Sequence, residues 1–252
     1  MPSFQDSVPW CNNAVLILVT GAATGLGFAT ARALADDGHD VVVHARSPSR
    51  ITDLGFLDRM RGALYADLAN LDETIALAEH ANAYGRFDAV IHNAAVLGSS
   101  DVLAVNTVAP FVMTALMRKA RRLIYVSSSM HRSGSTTLRA LASGTSGASY
   151  SDSKLYVTTL ALAIAERWTD TASHTVDPGW VPTRMGGSQA TDDLEAGHVT
   201  QVWLATADDV DPPTGGYWYH RRLRDPHPAT KDSAFQAELL TALEERTGIM
   251  LQ

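Results

Sequence analysis

Cysteine is almost absent from this sequence of 252 residues, which contains only Cys11. A single cysteine cannot form a disulfide within the chain, so the composition does not require an oxidising compartment. Long hydrophobic runs are lacking too, because the longest, such as 14–19 and 160–165, fall well short of the ~20 residues of a membrane span. The first residues lack the basic segment of a signal peptide. We therefore expect a soluble cytoplasmic protein with no membrane partner.

Basic residues are outnumbered: 20 lysines and arginines stand against 27 aspartates and glutamates, and the formal net charge is -7. This balance argues against nucleic acid as a partner. The nine histidines lack a paired i, i+4 spacing or carboxylate-flanked ligand spacing, so we expect no metal site. One basic run, 219–227, departs from the acidic composition. It is either a solvated segment or a rim that binds an acidic substrate or a partner chain.

Apolar runs of strand length alternate with segments of helical spacing along nearly the whole chain. The strand-like runs are continuous rather than alternating, as in a parallel sheet that is covered on both faces. This pattern predicts an α/β fold with a doubly wound parallel sheet in a single domain. The predicted strands are 14–20, 40–45, 62–66, 87–94, 122–128, 173–178 and 215–220, and the predicted helices are 25–37, 70–84, 101–118, 150–168, 192–206 and 231–246.

A glycine-rich turn joins the first predicted strand to the first predicted helix. It reads TGAATGLG and places Gly21, Gly25 and Gly27 directly after Thr20 and the strand. Glycine lacks a Cβ atom, so the backbone can turn sharply and approach a ligand closely. Because the next helix directs its N-terminus at this turn, its free N–H groups and its dipole favour a phosphate group. The sequence therefore predicts a phosphate-binding turn, and the alternative is a tight turn that holds no ligand.

Tyr150 and Lys154 lie four residues apart at the start of the predicted helix 150–168, so their side chains share one face. The pKa of free tyrosine is about 10, which is too high for easy proton exchange at neutral pH. A nearby ammonium group favours the phenolate, so we expect Lys154 to lower the pKa of Tyr150. The pair is either a proton donor of adjusted acidity or a chance pattern at a helix end.

The order of these motifs resembles that of the short-chain dehydrogenase/reductase family. The spacing Gly-x-x-x-Gly-x-Gly after Thr20 differs from the usual dinucleotide fingerprint, and with the downstream Tyr-x-x-x-Lys it is typical of that family. The resemblance covers about 15–219 and extends to retinol-dehydrogenase-like and carbonyl-reductase-like members. It implies a Rossmann-type domain over 14–222 that binds a dinucleotide and carries the catalytic residues. An N-terminal extension, 1–13, and a C-terminal tail with a terminal helix, 223–252, would flank it.

The end of the second predicted strand indicates which dinucleotide binds. Family members that prefer NAD place an acidic residue there to hold the ribose hydroxyls, whereas this chain has Ala45 followed by Arg46. A guanidinium group pairs with a 2′-phosphate through charge-assisted hydrogen bonds, and Ser47 or Arg50 can add to this. The resemblance therefore implies NADP(H) as the cofactor, and the alternative is that Arg46 is a solvated loop arginine.

The resemblance implies further cofactor contacts. Asp67 matches the acidic residue that meets the adenine amino group, while Val181 and Thr183 would hold the nicotinamide carboxamide. The segment HNAA, 92–95, matches the family's Asn-Asn-Ala-Gly but has His92, which we interpret as structural, for asparagine, and alanine for glycine. The implied cofactor-binding residues are Thr20, Gly21, Gly25, Leu26, Gly27, Arg46, Asp67, Leu68, Asn93, Ala94, Tyr150, Lys154, Pro178, Gly179, Val181 and Thr183.

Four residues match the family's catalytic positions. Ser128, the second serine after the fifth strand, would polarise the substrate carbonyl, with Ser129 as the rival. Tyr150 would donate the proton. Lys154 would bind the ribose hydroxyls and, with the oxidised nicotinamide ring, lower the pKa of Tyr150. Asn106 would distort its helix and anchor a water molecule that relays protons.

These residues imply a reductase that transfers hydride from NADPH to the carbonyl carbon of a ketone or aldehyde. Oxidation of a secondary alcohol and reduction of a C=N bond are alternatives with the same groups. A third alternative is a non-catalytic NADP(H) sensor, although a sensor has no need of an intact proton relay. The partner would be a small molecule chosen by loops 129–149 and 184–200, with 184–197 as a flexible lid. The resemblance implies a homodimer or homotetramer.

Overall fold

Eight strands form one sheet in the computed structural model, which describes residues 14–98, 100–143 and 147–251. The predicted N-terminal extension, 1–13, lies outside the described residues. The strands are β1 (Leu16–Val19), β2 (Asp40–Ala45), β3 (Gly62–Tyr65), β4 (Ala89–His92), β5 (Arg122–Val126), β6 (Ala172–Asp177), β7 (Tyr217–Tyr219) and β8 (Arg222–Arg224).

The strands lie in the order β3-β2-β1-β4-β5-β6-β7-β8. The first seven run parallel, and β8 pairs antiparallel with β7. The chain moves outward from β1 through β2 to β3 and then returns to add β4 on the other side of β1. Ligands of open α/β sheets bind at such a switch point, outside the carboxyl ends of the strands. The predicted single α/β domain with a doubly wound sheet is therefore confirmed.

Helices cover both faces of the sheet. Side chains at alternate strand positions point to opposite faces, so Leu18 and Val90 pack on one side while Ile17 and Ile91 pack on the other. The helices are α1 (Gly25–Asp36), α2 (Leu54–Leu57), α3 (Leu71–Asn82), α4 (Ala109–Leu116), α5 (Arg139–Ser143), α6 (Tyr150–Arg167), α7 (Leu194–Thr206) and α8 (Ser233–Thr247). The first side is covered by α3, α4, α6 and α8, and the second by α1, α2 and α7.

A hairpin occupies the edge of the sheet where the sequence predicted one strand over 215–220. The predicted strand is shortened to β7 and turns back at once into β8, which was not predicted. His220 and Arg221 form the two-residue connection, with φ values of 48° and 58°. A type I′ turn requires positive φ at both positions, where asparagine and glycine are usual. Neither residue is a turn signal, so the pattern gave no sign of the hairpin.

One predicted helix is interrupted, and one predicted loop contains short helical segments. The predicted helix 101–118 consists of a π-helical turn, Ala104–Val108, followed by α4. The predicted loop 129–148 contains a 3-10 turn, Ser129–Ser133, and the short helix α5. The domain boundary expected at residue 222 stays a prediction, although β8 lies across it. No helix within the described ranges has both the length and the apolar character needed to cross a bilayer.

Candidate active site

Side chains from two neighbouring strand ends hold the glycine-rich turn. The Thr20 hydroxyl accepts hydrogen bonds from the backbone N–H groups of Asn93 and Ala94, both at 3.0 Å. The side-chain amide of Asn93 donates to the Thr20 carbonyl at 2.9 Å. Thr20 is buried, so these two side chains support the turn from the protein side. Their contact with a cofactor stays a prediction.

His44 also holds the turn, and sequence analysis gave it no role. Its Nδ1 accepts a hydrogen bond from the N–H of Gly21 at 3.2 Å, and its Nε2 lies 3.0 Å from the carbonyl oxygen of Ala66, to which it donates. This arrangement requires a neutral ring, and burial lowers the pKa of His44. The one signal in the sequence was a polar residue within an apolar strand.

Two of the glycines are required by close packing. A Cβ atom on Gly21 would lie 2.8 Å from Cα of Ala94, and one on Gly27 would lie 2.3 Å from Nδ2 of Asn93. Gly21 also has a φ of 67°, which favours glycine. The turn after β1 therefore touches the segment after β4 directly, at the switch point of the sheet.

The N-terminus of α1 is open to an anion. No side chain of the described residues caps its first turn, whereas α3, α6, α7 and α8 each have a side-chain cap. The first turn begins with Gly25 and Leu26 and contains no acidic residue. Free N–H groups at the positive end of a helix dipole suit a phosphate. These residues therefore fit the pyrophosphate of a dinucleotide.

Arg46 and Asp67 contact each other beyond the carboxyl ends of β2 and β3. Nε of Arg46 lies 3.6 Å from Oδ2 of Asp67, and the Arg46 side chain is 57% exposed. The other oxygen, Oδ1, accepts a hydrogen bond from the N–H of Ala69 at 3.0 Å, and Leu68 between them is buried. An exposed ion pair of this kind contributes little to stability. The guanidinium group is therefore free to turn toward a phosphate.

Asn106 lies within the π-helical turn, where an extra residue interrupts the helical hydrogen bonds. Its Oδ1 accepts a hydrogen bond from the N–H of Val96 at 2.8 Å, and its Nδ2 donates to the Val96 carbonyl at 3.0 Å. Nδ2 also donates to the Ser153 hydroxyl at 3.0 Å, which links this turn to α6. The predicted helix distortion is therefore present, and the proton relay stays a prediction.

The three serines after β5 differ in their surroundings. Ser127 is buried, and its hydroxyl lies 2.6 Å from that of Thr158 on α6. Ser128 accepts a hydrogen bond from the N–H of Met130 at 3.2 Å, and its side chain lies close enough to the phenol of Tyr150 to lower the pKa of that group. Ser129 begins the 3-10 turn and is exposed. Ser128 is thus the serine that the structure brings to the tyrosine.

A capping box places Tyr150 at the first position of α6. The Ser149 hydroxyl accepts a hydrogen bond from the N–H of Asp152, whose carboxylate accepts one from the N–H of Ser149. One turn later, Lys154 is only 2% exposed. Its Nζ donates to the Val126 carbonyl at 2.7 Å and lies 5.4 Å from the centroid of the Tyr150 ring. The pair therefore meets the end of β5, as the helical spacing predicted.

The net effect of the protein on the pKa of Tyr150 is opposite to the sequence-based expectation. Burial raises the pKa of Tyr150 to about 12, the Ser128 side chain lowers it, and the Asp177 carboxylate raises it. Burial lowers the pKa of Lys154 to about 7, and Asp177 opposes this. The expectation was wrong for these groups because it omitted the desolvation of both side chains and a carboxylate from another strand.

The segment after β6 returns to the glycine-rich turn. Pro178 and Val181 are buried, and Gly179 has a φ of 82° that bends the chain. A Cβ atom on Gly25 would lie 3.1 Å from Cγ2 of Thr183, so Thr183 lies beside the first turn of α1. The predicted nicotinamide contacts therefore lie next to the predicted phosphate contacts, at one edge of the sheet.

His92 is a structural residue in this fold, as interpreted from the sequence. Its ring stacks on Tyr125 with centroids 4.7 Å apart, and burial lowers its pKa to about 3. No cluster of three or more histidine, cysteine, aspartate or glutamate side chains that could hold a metal ion occurs among the described residues.

Comparison with known proteins agrees with this geometry. A family profile described as short chain dehydrogenase matches residues 15–194. The chain is 37% identical to short-chain dehydrogenase chyC of Penicillium rubens, over 93% of this chain and 98% of that protein. It is 31% identical to a Streptomyces protein provisionally named daunorubicin C-13 ketoreductase DnrU, over 92% of both chains.

Among solved structures, a blue fluorescent protein from a metagenomic library, in complex with NADPH, has the same fold. It matches with a TM-score of 0.67 at 21% identity, over 81% of this chain and 95% of that one. The family profile and the relative from Penicillium each cover most of the sequence. The chain therefore belongs to the short-chain dehydrogenase family of oxidoreductases.

Proposed function

We propose that this protein reduces the carbonyl group of a small ketone or aldehyde with NADPH. The observation that carries the proposal is the convergence of Ser128, Tyr150 and Lys154 at the carboxyl end of β5, with Ser128 close enough to the phenol to lower its pKa. The name of the Streptomyces relative also refers to ketone reduction.

Each side chain has a distinct part in this reaction. The Ser128 hydroxyl donates a hydrogen bond to the substrate oxygen and holds it beside Tyr150. The Tyr150 phenol, whose raised pKa keeps it protonated at neutral pH, gives its proton to that oxygen. Lys154 binds the ribose hydroxyls and supplies positive charge under the ring. NADPH supplies the hydride when bound, so the protein contributes position and proton control.

Asn106 supports the position of Tyr150 and Lys154 through hydrogen bonds to α6 and to the segment after β4. Its side chain joins the segment after β4 to Ser153 of α6, so the π-helical turn and the catalytic helix are held together. A π-helical turn also leaves backbone carbonyls without their usual helical partners, and such a carbonyl can hold a water molecule. We propose that this water returns a proton to Tyr150 through Lys154.

NADPH is the favoured cofactor because Ala45 stands where an acidic residue would select NAD, and Arg46 follows it. Its guanidinium group is exposed and held only by an ion pair with Asp67 at 3.6 Å, so it can pair with a 2′-phosphate. The open N-terminus of α1 accepts the pyrophosphate, and Thr183 lies beside it. The NADPH in the metagenomic relative's structure agrees with this choice.

Exposed apolar side chains favour an apolar substrate. Leu97, Met130, Trp180 and Met185 are between 39% and 52% exposed, and they belong to the segments that follow β4, β5 and β6. These strands are β5, whose carboxyl end meets the catalytic groups, and its two neighbours. Exposed apolar side chains in the segments around a site offer contacts to an apolar ligand. A ketone with an extended apolar or ring-shaped body fits them better than a sugar does.

The decisive experiment compares Tyr150→Phe with Tyr84→Phe. NADPH oxidation with a panel of ketones and aldehydes should fall by at least about 100-fold in Tyr150→Phe, because the proton donor is lost. NADPH binding, followed by fluorescence, should stay close to that of the parent. Tyr84→Phe removes a hydroxyl near Gly62, at the amino end of β3 and away from the carboxyl ends that form the site. This variant should leave turnover unchanged.

Two results would overturn the proposal. Near-normal turnover in Tyr150→Phe would exclude this mechanism. NADPH binding without turnover of any carbonyl, imine or alcohol in the panel would favour the sensor instead.

A further inference from the structure

A carboxylate that the reaction does not use is buried beside the catalytic pair. Asp177, the last residue of β6, is 5% exposed. Its Oδ1 accepts a hydrogen bond from the N–H of Gly179 at 3.0 Å, and its Oδ2 accepts one from the hydroxyl of Tyr217 at 3.1 Å. Accepting two hydrogen bonds suits an ionised carboxylate, which donates none. The interior of this protein therefore contains a negative charge close to its active site.

Strand geometry directs Asp177 toward the first turn of α6. β6 pairs with β5 so that Val126 lies opposite Val176, and Lys154 donates to the carbonyl of Val126. Two positions before Thr175, the Ser173 hydroxyl donates to the carbonyl of Ala161 on α6 at 2.7 Å. Residues at alternate positions share a face of the sheet, so Ser173, Thr175 and Asp177 all face α6. The carboxylate thus lies on the same side of the sheet as the ammonium group.

The charged and titratable groups around Asp177 come from four elements. Tyr150 and Lys154 face it from α6, and Tyr217 binds it from β7, where burial and the Asp177 charge also raise the pKa of Tyr219. Burial raises the pKa of Asp177, its two hydrogen bonds lower it, Asp192 from the segment before α7 raises it, and His220 from the β7–β8 turn lowers it. Among these groups, Lys154 is a buried amine, and its protonated form is costly without a compensating anion.

We propose that Asp177 is a positioning residue that keeps both protons on the Tyr150–Lys154 pair and so extends to higher pH the range in which carbonyl reduction proceeds. This inference rests on the proposed carbonyl reduction. In that reaction the O–H bond of Tyr150 breaks and the O–H bond of the product alcohol forms, while the hydride forms the new C–H bond. Oxidation of an alcohol needs the pair to begin with one proton fewer.

A negative charge affects the pair in the same sense whichever member releases its proton first. Near Tyr150 it disfavours the phenolate, and near Lys154 it favours the ammonium group. Because the two groups are coupled, their first proton is lost in one macroscopic step. The Asp177 charge raises the pH at which this step occurs, which extends the range in which the pair can donate a proton.

Asp177→Asn removes the charge and keeps the shape. The amide oxygen can still accept from Gly179, and the Tyr217 hydroxyl can rotate to accept from the amide N–H₂. The chain has only three lysines, Lys119, Lys154 and Lys231, so ¹³Cε labelling of lysine gives three signals. Comparison with Lys154→Met assigns the buried one. Its titration in the cofactor-free protein requires neither turnover nor bound ligand.

The Lys154 signal should titrate about one pH unit lower in Asp177→Asn than in the parent. Asp192→Asn removes an equal charge from the segment before α7 and should leave the midpoint in place. Tyr217→Phe removes a hydrogen bond of Asp177 but keeps its charge, so it should also leave the midpoint close to that of the parent. If Asp177→Asn does not fold, Asp177→Ser provides a smaller neutral variant for the same titration.

In the complete enzyme, the alkaline limb of kcat/KM for ketone reduction should move to lower pH by a similar amount. An unchanged Lys154 midpoint in Asp177→Asn would overturn the inference, as would an equal shift in Tyr217→Phe. The lysine titration stands apart from catalysis, so it separates failure of this inference from failure of the proposed reduction.

Discussion

The ammonium group of Lys154 lies under the ring of Tyr150, with Nζ 5.4 Å from the ring centroid. The same Nζ donates to the carbonyl of Val126, the last residue of β5, at 2.7 Å. Ser128 follows that residue by two positions and lies close enough to the phenol to lower its pKa. The strand end therefore fixes the lysine and the serine together, and the helix brings the tyrosine to both.

Replacement of Ser128 and Ser129 one at a time should identify the serine that orients the substrate. We expect Ser128→Ala to lower kcat/KM for ketone reduction by roughly 100-fold or more, because a hydrogen-bond donor to the substrate oxygen is lost. Ser129→Ala, which removes an exposed hydroxyl, should stay close to the parent value. Steady-state kinetics with one ketone is the measurement. A larger loss in Ser129→Ala would exchange the two assignments.

Arg46→Asp should weaken NADPH binding by about 10- to 100-fold, because a charge-assisted hydrogen bond to the 2′-phosphate becomes a repulsion. NADH lacks this phosphate, so its dissociation constant should change little. Fluorescence titration with each dinucleotide measures the difference.

Arg61→Asp is the matched control for this charge reversal. Arg61 directly precedes β3, at the amino end of that strand, where its backbone N–H donates to the carbonyl of Val41. It should leave the affinity for both dinucleotides in place. Equal losses of NADPH and NADH binding in Arg46→Asp would contradict the cofactor preference.

Gly27→Ala should destabilise the protein by about 1–3 kcal/mol, because its methyl group would overlap Nδ2 of Asn93 and the carbonyl of Gly21. Gly147→Ala is the control, since an added Cβ atom there meets no atom within 4 Å. Urea unfolding gives the free energy of unfolding of each variant. Equal stability of the two variants would show that the turn can relax around a methyl group. The close packing at Gly27 would then not require glycine.

The stability of the fold should fall in acid, in part because of His92. Burial lowers the pKa of His92 to about 3, while the unfolded chain takes up a proton near the ordinary value of 6.5. Stability is therefore fully present above pH 6.5 and is lost as the pH falls toward 3. By about pH 5 the loss from this group is about 2 kcal/mol.

His92→Asn should remove this part of the pH dependence of unfolding, whereas His80→Asn, at an exposed position of α3, should keep it. Urea unfolding at about pH 7.5 and about pH 5 provides the comparison. The same loss of stability in all three proteins would show that His92 is not the group responsible.

The sequence predicted the sheet well where apolar runs are long, as in β2 and β5, because a continuous run indicates a strand that is buried on both faces. Helix spacing placed Tyr150 and Lys154 on one face, and the structure places their side chains together. The hairpin ending in β8 could not be predicted, since it depends on positive φ at His220 and Arg221.

The roles of His44 and Asp177 could not be predicted for a different reason. Each acts through contacts with residues distant in the chain, such as Gly21 for His44 and Tyr217 for Asp177. The residues next to His44 and Asp177 in the sequence do not indicate these contacts. The pKa of Tyr150 depends on one of the two residues, Asp177.

The hairpin has a consequence for the behaviour of concentrated protein. β8 is the outer strand of the sheet, and Arg222, Leu223 and Arg224 are all exposed. An unpaired outer strand is a template on which another chain can extend a sheet, and charged side chains oppose this. Two guanidinium groups on three residues repel the identical strand of a second molecule. The charges on β8 therefore oppose fibril-like extension of the sheet by a second molecule.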